Sequence, residues 1–198
     1  MQSKIKFPTD ALVTISGPAG SGKSHCATSL AELYGVECHS SGSIFRKMAS
    51  ERGISLADFS KIAEKDPRID KEIDKRTEEL AEKGGCILEG RLVSWFSSYR
   101  PKLSFYLDAP FGIRAKRIAE REGITDKDAI KKTRAREKSE RARYKAIYGL
   151  DIADLSVYDF VINTAVWDKD SVVELLKSIV DLYIAKLAAE QGTKHATA

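Results

Sequence analysis

Eight residues near the start of the chain, GPAGSGKS from Gly17 to Ser24, constrain the fold more than any other stretch. They follow ALVTIS, a run rich in β-branched residues that reads as a buried strand. They lead into a segment whose Ala27, Leu30, Ala31 and Leu33 recur at helical spacing. The pattern G-x-x-x-x-G-K-S between strand and helix is a phosphate-binding loop. Its glycines let the backbone turn, so that the stretch Gly17, Pro18, Ala19, Gly20, Ser21 and Gly22 wraps phosphate oxygens, every residue but Pro18 having an N–H to offer. Lys23 reaches the terminal phosphates, and the Ser24 hydroxyl is placed to ligate Mg²⁺. The following helix points its positive end at the same anion. The loop binds a nucleoside triphosphate, and the fold it demands is α/β.

Short apolar runs alternate with longer helical patterns along the rest of the chain. Strands are predicted at 12–16, 36–40, 86–89, 103–107 and 160–163. Helices are predicted at 23–34, 43–52, 56–64, 70–83, 111–122, 126–148 and 169–187. This alternation predicts a P-loop NTPase fold, a five-stranded parallel sheet flanked by helices, with ligands beyond the carboxyl ends of the strands. The 198 residues fit one domain. Its core spans 11–40, 85–122 and 157–187, and the polar tail 188–198 is expected to be disordered. The connection between the second and third strands, about 45 residues, is too long for a turn and predicts a helical insertion at 41–84. Residues 126–148 lack an apolar stripe before Ile147, which suits a helical lid at 123–150 better than a core helix.

Three cysteines, Cys26, Cys38 and Cys86, lack C-x-x-C spacing, so a disulfide framework or zinc site is excluded and a reducing cytoplasm fits. The N-terminus has no apolar signal core, and no stretch reaches the ~18 apolar residues of a membrane span. Net charge is only +4 although Lys and Arg number 33, because they are offset by 29 acids. The basic residues bunch between Arg114 and Arg143, which suits a polyphosphate ligand or nucleic acid. His25 and His39 have no second ligand at metal spacing and read as structural.

Phosphoryl transfer needs in-line positioning, cations around the spreading charge, and exclusion of water by a closing segment. The chain offers each part. Arg46 follows the second strand in HSSGSIFRK, and Arg91 lies just past the third in CILEGRL. Arg136, Glu140 and Arg143 fall at i, i+4 and i+7 and share one face of the lid helix. Each arginine has an ordinary alternative: a solvated helix position for Arg46, a pair with Glu89 for Arg91, i,i+4 pairing for the lid. Glu89 either holds Mg²⁺ through water or pairs with Lys23 or Arg91. Trp95 and Phe96 either stack on a base or pack.

From Ala11 to Leu187 the chain resembles the archaeal-type cytidylate kinases, compact members of the nucleoside monophosphate kinase family. The likeness rests on ISGPAGSGKS, SSGSIFR, DPRIDKEID, LEGRL, RIAEREG and YGLDIADLSVYDFVINT. It implies transfer of the ATP γ-phosphate to CMP or dCMP with Mg²⁺; a cytoplasmic monomer acting on small nucleotides, without nucleic acid or membrane, is expected, while oligomeric state and the preference between CMP and dCMP stay open. It implies that Ser41, Gly42 and Arg46 hold the acceptor, with Gly90 and Arg91 gripping its phosphate. The family's lid pattern R-D-x-x-D-x-x-R is met by Arg136-Glu137-Lys138-Ser139-Glu140-Arg141-Ala142-Arg143. By this resemblance Arg136 and Glu140 face the acceptor sugar and Arg143 a phosphate, while Arg114 and Arg117 flank the donor. Lys23, Arg91, Arg117, Arg136 and Arg143 are then the catalytic cations.

The sequence departs from the family in two places. Both lid acids are Glu, and Leu92 stands where the bacterial enzymes carry an aspartate that reads the cytosine amino group. Base recognition must come from elsewhere. An adenylate kinase, or a nucleotide-driven binding ATPase on the same fold, remains open at this level, as does the choice of donor.

Overall fold

The computed structural model describes residues 5–96 and 102–196, with side chains as far as 190. Five strands, β1 (Leu12–Ser16), β2 (Glu37–Ser40), β3 (Cys86–Glu89), β4 (Lys102–Asp108) and β5 (Phe160–Asn163), form one sheet in the order β2-β3-β1-β4-β5. Every pairing is parallel. Strand β1 lies between β3 and β4, where successive connections leave in opposite directions, so the crevice for a ligand opens above its carboxyl end.

The helices are α1 (Lys23–Tyr34), α2 (Ser41–Glu51), α3 (Leu56–Lys65), α4 (Pro67–Lys83), α5 (Val93–Phe96), α6 (Phe111–Glu122), α7 (Asp126–Tyr148) and α8 (Lys169–Ala196). Strand side chains alternate with period two. Val13, Ile15, Ile87, Phe105 and Leu107 pack under α1 and α8 in the main core. Leu12 and Leu88 face the other way, with Ala81 of α4 and Val93 of α5. Thr14 and Ser16 also face that side, and their hydroxyls meet the Ser94 hydroxyl at 2.8 and 3.2 Å, which satisfies polar groups in a buried layer.

Residues 41–84 fold as α2, α3 and α4 around a small core of their own: Ala49, Phe59, Ala63, Ile69 and Ile73. Their ends are written locally. The Ser40, Ser55 and Asp66 side chains accept from backbone N–H groups at three helix starts, and Pro67 opens α4. Helix α7 begins with Thr125 as its cap and ends at Gly149 in the left-handed conformation.

The sequence reading is corrected at one helix end. Helix α8 does not stop at Leu187 but runs to Ala196, because Ala188, Ala189, Glu190 and Gln191 are strong helix formers. The last two residues of the tail lie outside the described residues. Helix α5 was not foreseen, being a single turn. Helix α7 lacks an apolar stripe, as expected, yet it has an inner face: it buries Ala129, Thr133, Glu140, Arg143 and Tyr144. The face is real, but much of it is charged.

Candidate active site

A cavity of about 900 Å³ opens where the sheet crevice is roofed by α7 and walled by α2 and α4. At its floor, β1 ends at Ser16 and the chain turns through Gly17, whose φ is +143°. A Cβ at Gly17 would stand 2.1 Å from the Leu107 carbonyl oxygen, so only glycine lets the loop leave the sheet here. Residues Ala19 to Ser24 line the cavity, while Gly17 and Pro18 lie buried beneath. Helix α1 starts at Lys23 and aims its N-terminal amides into the same space.

The loop is braced from behind by residues of very different sequence position. Thr164, just past β5, donates to the Ser21 carbonyl at 2.9 Å and accepts from Arg117 Nη1 at 2.9 Å. Arg117 also reaches the Gly20 and Thr164 carbonyls and lines the cavity. Arg114 does not line it. Its Nε donates to the Ala109 carbonyl, and its Nη1 to the Ala19 carbonyl and to Glu137, beneath the loop. In this structure Arg114 is a brace for the phosphate loop.

Lys23 Nζ lies 3.4 Å from Glu89 Oε1. Burial pulls the ammonium down to about 8; Glu89 opposes this, while Arg91 and Arg136 push the same way. Glu89, buried at the end of β3, also accepts from the Ser40 hydroxyl at 2.5 Å. Of the partners weighed for Glu89, the structure pairs it with Lys23. Next to it, Gly90 is closely approached: a Cβ there would stand 2.0 Å from Ser41 Oγ and 2.8 Å from Val93, so a larger residue would force both side chains to shift. That close approach brings the start of α2 and the end of β3 together, and with them Ser41, Gly42, Arg46 and Arg91.

Arg91 does not pair with Glu89. Its Nη1 donates to the Gly17 carbonyl at 3.0 Å, and its Nη2 lies 2.6 Å from Glu140 Oε2. This ion pair is close but not aligned as a hydrogen bond, and the buried Arg91 Nε has no partner among the described residues. Arg136 binds the other Glu140 oxygen at 2.8 Å. Burial works to raise the Glu140 carboxyl, but Arg91, Arg136 and Lys23 outweigh it and hold it below the usual carboxylate range. Arg143 is buried against Asp70 of α4 at 2.8 Å and caps the Phe45 ring at 5.6 Å. Tyr148, the last residue of α7, donates to Asp74 and packs edge-on against Phe96. Of the two readings for Phe96, packing is therefore the observed one.

Lys23, Arg46, Arg91, Arg117, Arg136 and Arg143, from four helices and the turn after β3, line one cavity. Such a concentration of cations facing a phosphate loop is suited to polyphosphate and to a charge-spreading transfer. Sequence reasoning missed Thr164, Asp70, Asp74 and Tyr144, which carry no local motif. Asp70 and Asp74 sit in the quoted stretch DPRIDKEID, and their i,i+4 spacing on α4 was the available signal. His25 and His39 face Asp170 at 3.9 Å and Glu37 at 3.1 Å. The three cysteines are free. Among the described residues no cluster of three metal-ligating side chains exists, and no helix is long and apolar enough to cross a membrane.

The parallel sheet, the phosphate loop and the roofed cavity define a P-loop protein of the small-molecule kinase shape. Solved structures agree on the fold: an uncharacterised protein from Eubacterium ventriosum aligns at TM-score 0.64 and 20% identity over 86% of this chain and 98% of its own. Shikimate kinase from Acinetobacter baumannii aligns at TM-score 0.55 and 17% identity, covering 88% and 94%. Within that class, the cytidylate kinase-like family matches residues 12–166, and the chain belongs to it. Cytidylate kinases of Pyrococcus horikoshii and Halobacterium salinarum are each 45% identical over 176 residues, 88% of this chain and 91% and 92% of theirs. That of Methanocaldococcus jannaschii is 43% identical over 173 residues, 86% and 97%.

Proposed function

We propose that the protein is an ATP-dependent kinase of CMP and dCMP, acting as a cytoplasmic monomer on small nucleotides. The observation that carries this reading is the convergence on one cavity of a donor loop and of arginines from the insertion, the sheet edge and the lid. A binding ATPase has no use for the acceptor-side cations Arg46 and Arg91.

ATP lies with its phosphates on Ala19–Ser24, and Lys23 and Arg117 draw charge from the γ-phosphate. The acceptor phosphate sits between Arg46, Arg91 and Arg143, against Ser41, Gly42 and Gly90, while Arg136 and Glu140 face its sugar. The buried Arg91 guanidinium has hydrogen-bonding capacity to spare, since its Nε has no partner among the described residues. The acceptor oxygen attacks the γ-phosphorus and ADP leaves. A phosphate monoester is largely ionised at neutral pH, so no general base is required. Arg143 can leave Asp70 for the acceptor phosphate, and that exchange couples acceptor binding to the position of α7.

Mg²⁺ fits the residues present: the Ser24 hydroxyl lines the cavity, and Glu89 stands at the adjacent strand end where it can act through water. A lone hydroxyl and carboxylate match a cation that keeps its waters and takes phosphate oxygens. Bound there, Mg²⁺ would neutralise charge on the donor phosphates.

A coupled assay of ADP release with CMP, dCMP, UMP and AMP tests the reading. CMP- and dCMP-dependent turnover well above hydrolysis is expected. Slow hydrolysis indifferent to every monophosphate, or a preference for AMP, overturns it.

A further inference from the structure

The wall that α4 presents to the cavity carries two acids one turn apart. They are not equivalent. Asp70 already has its cation, because Arg143 Nε donates to it at 2.8 Å. Asp74 has only the Tyr148 hydroxyl, which donates to its Oδ2. Among the described residues Asp74 Oδ1 has no hydrogen-bond partner, and Asp74 lines the cavity beside Ile73, Phe45 and Tyr144. An acceptor oxygen on the cavity wall, with its twin atom pinned by Tyr148, is placed to receive a donor from a bound molecule.

We propose that Asp74 reads the base of the acceptor nucleotide, its free carboxylate oxygen accepting a hydrogen bond from the 4-amino group of cytosine while Tyr148 holds the other oxygen. The assignment rests on the enzyme being a pyrimidine monophosphate kinase, and it names the atom that tells cytosine from uracil. Uracil has a carbonyl at that position, so lone pairs would face lone pairs and a buried acceptor would stay unpaired. Leu92, which follows the Gly-Arg pair, is buried and apolar and offers nothing to an amino group. The layout of the cavity agrees. The phosphate-binding arginines gather at the end of β3 and at Arg143, and Asp74 lies one helical turn past Asp70, Arg143's partner. Burial, with Asp70 and Glu78 adding and the Tyr148 hydrogen bond opposing, lifts the Asp74 carboxyl to about 7. That is the behaviour of a carboxylate whose hydrogen-bonding capacity the protein itself does not meet.

The test compares kcat/KM for CMP, UMP and the monophosphate of pyrimidin-2-one riboside, which has only hydrogen at position 4. The wild-type enzyme should favour CMP over that analogue by about tenfold to a hundredfold, the worth of one hydrogen bond to a charged group. In Asp74→Asn the amide can turn its NH₂ toward the uracil carbonyl, so the CMP-to-UMP ratio should fall by about tenfold or more. The gap between CMP and the analogue should narrow in the same variant. A purely structural Asp74 would lower all three substrates together, and a folded Asp74→Asn enzyme with an unchanged CMP-to-UMP ratio overturns the assignment. The analogue needs no mutation: wild-type enzyme that uses it as well as CMP also overturns it. Wild-type enzyme that phosphorylates no pyrimidine monophosphate removes the functional reading itself, and this assignment with it.

Discussion

At the residue scale, Lys23 and Arg46 separate the two halves of the cavity. Lys23 is held beside Glu89 in a buried setting where its charge is poorly compensated until phosphate arrives. Lys23→Ala should lower kcat by about a hundredfold or more, as the loss of a charge-stabilising group at the transferred phosphoryl does. The variant should still fold, since Lys23 belongs to no core cluster, although buried Glu89 loses its cation and the melting temperature should fall. A near-normal kcat in a folded Lys23→Ala enzyme would rule out the donor site. Arg46 lies exposed on α2 at the opposite side, with its guanidinium 3.4 Å from where a Gly42 Cβ would be. Arg46→Ala should raise the KM for CMP by about tenfold and leave that for ATP nearly unmoved, as loss of one charge-assisted contact to the acceptor would. Steady-state titration of each substrate checks it, and the reverse pattern would exchange the two sites. Lys23 was legible because strand, glycines, lysine and helix are contiguous. Thr164 and Asp74 were not, for their meaning depends on partners 143 and 74 positions away.

The same division holds for elements. Helices that stop at a glycine in the left-handed conformation were legible to the residue: α1, α6 and α7 have the predicted bounds and end at Gly35, Gly123 and Gly149. What α7 packs against was not legible, because its inner face is built from ion pairs that look like a solvated helix until α4 and Arg91 are brought to it. Arg143 on Asp70 and Tyr148 on Asp74 tie it to the insertion, and Arg91 ties Glu140 to the sheet. Polar ties of this kind can be exchanged for phosphate, unlike the apolar stripe of α8 around Leu176 and Val180. A bisubstrate analogue joining adenosine to cytidine through phosphates should therefore slow amide exchange in α7 by about tenfold or more and leave α8 unchanged. Arg143→Ala should lower kcat more than it raises the KM for ATP, since its contact forms mainly as charge develops. Exchange in α7 that ignores the analogue, together with normal kcat in Arg143→Ala, would reduce the lid arginines to a structural role.

For the whole molecule, the acids that the cavity keeps from solvent set how stability responds to pH. Burial raises both Asp70 and Asp74, Asp70 against the pull of Arg143 and Asp74 as far as about 7. Asp74 has a reference value of 3.8, so between about pH 4 and pH 7 the folded protein keeps a proton that the unfolded chain has lost. Stability from this group is therefore lost as pH rises through that window, and the whole cost of ionising it is present above pH 7. A shift of about three units has a ceiling of roughly 4 kcal/mol, and the partial exposure of Asp74 reduces it to about 1–2 kcal/mol. Asp74→Asn stays neutral and escapes the cost. Its melting temperature should equal that of wild type near pH 4 and exceed it by about 3–6 °C at pH 8, on the size scaling for a chain of this length. The other titrating neighbours, Tyr148 on α7 and Asp70 and Glu78 on α4, are common to both proteins and cancel in the difference. Saturating CMP should shrink the advantage, because the bound amino group stabilises the ionised acid only in wild type. A difference in melting temperature that stays constant from pH 4 to pH 8 would show that Asp74 is solvated and ordinary, and the fold would then owe nothing of its pH response to the base-binding wall.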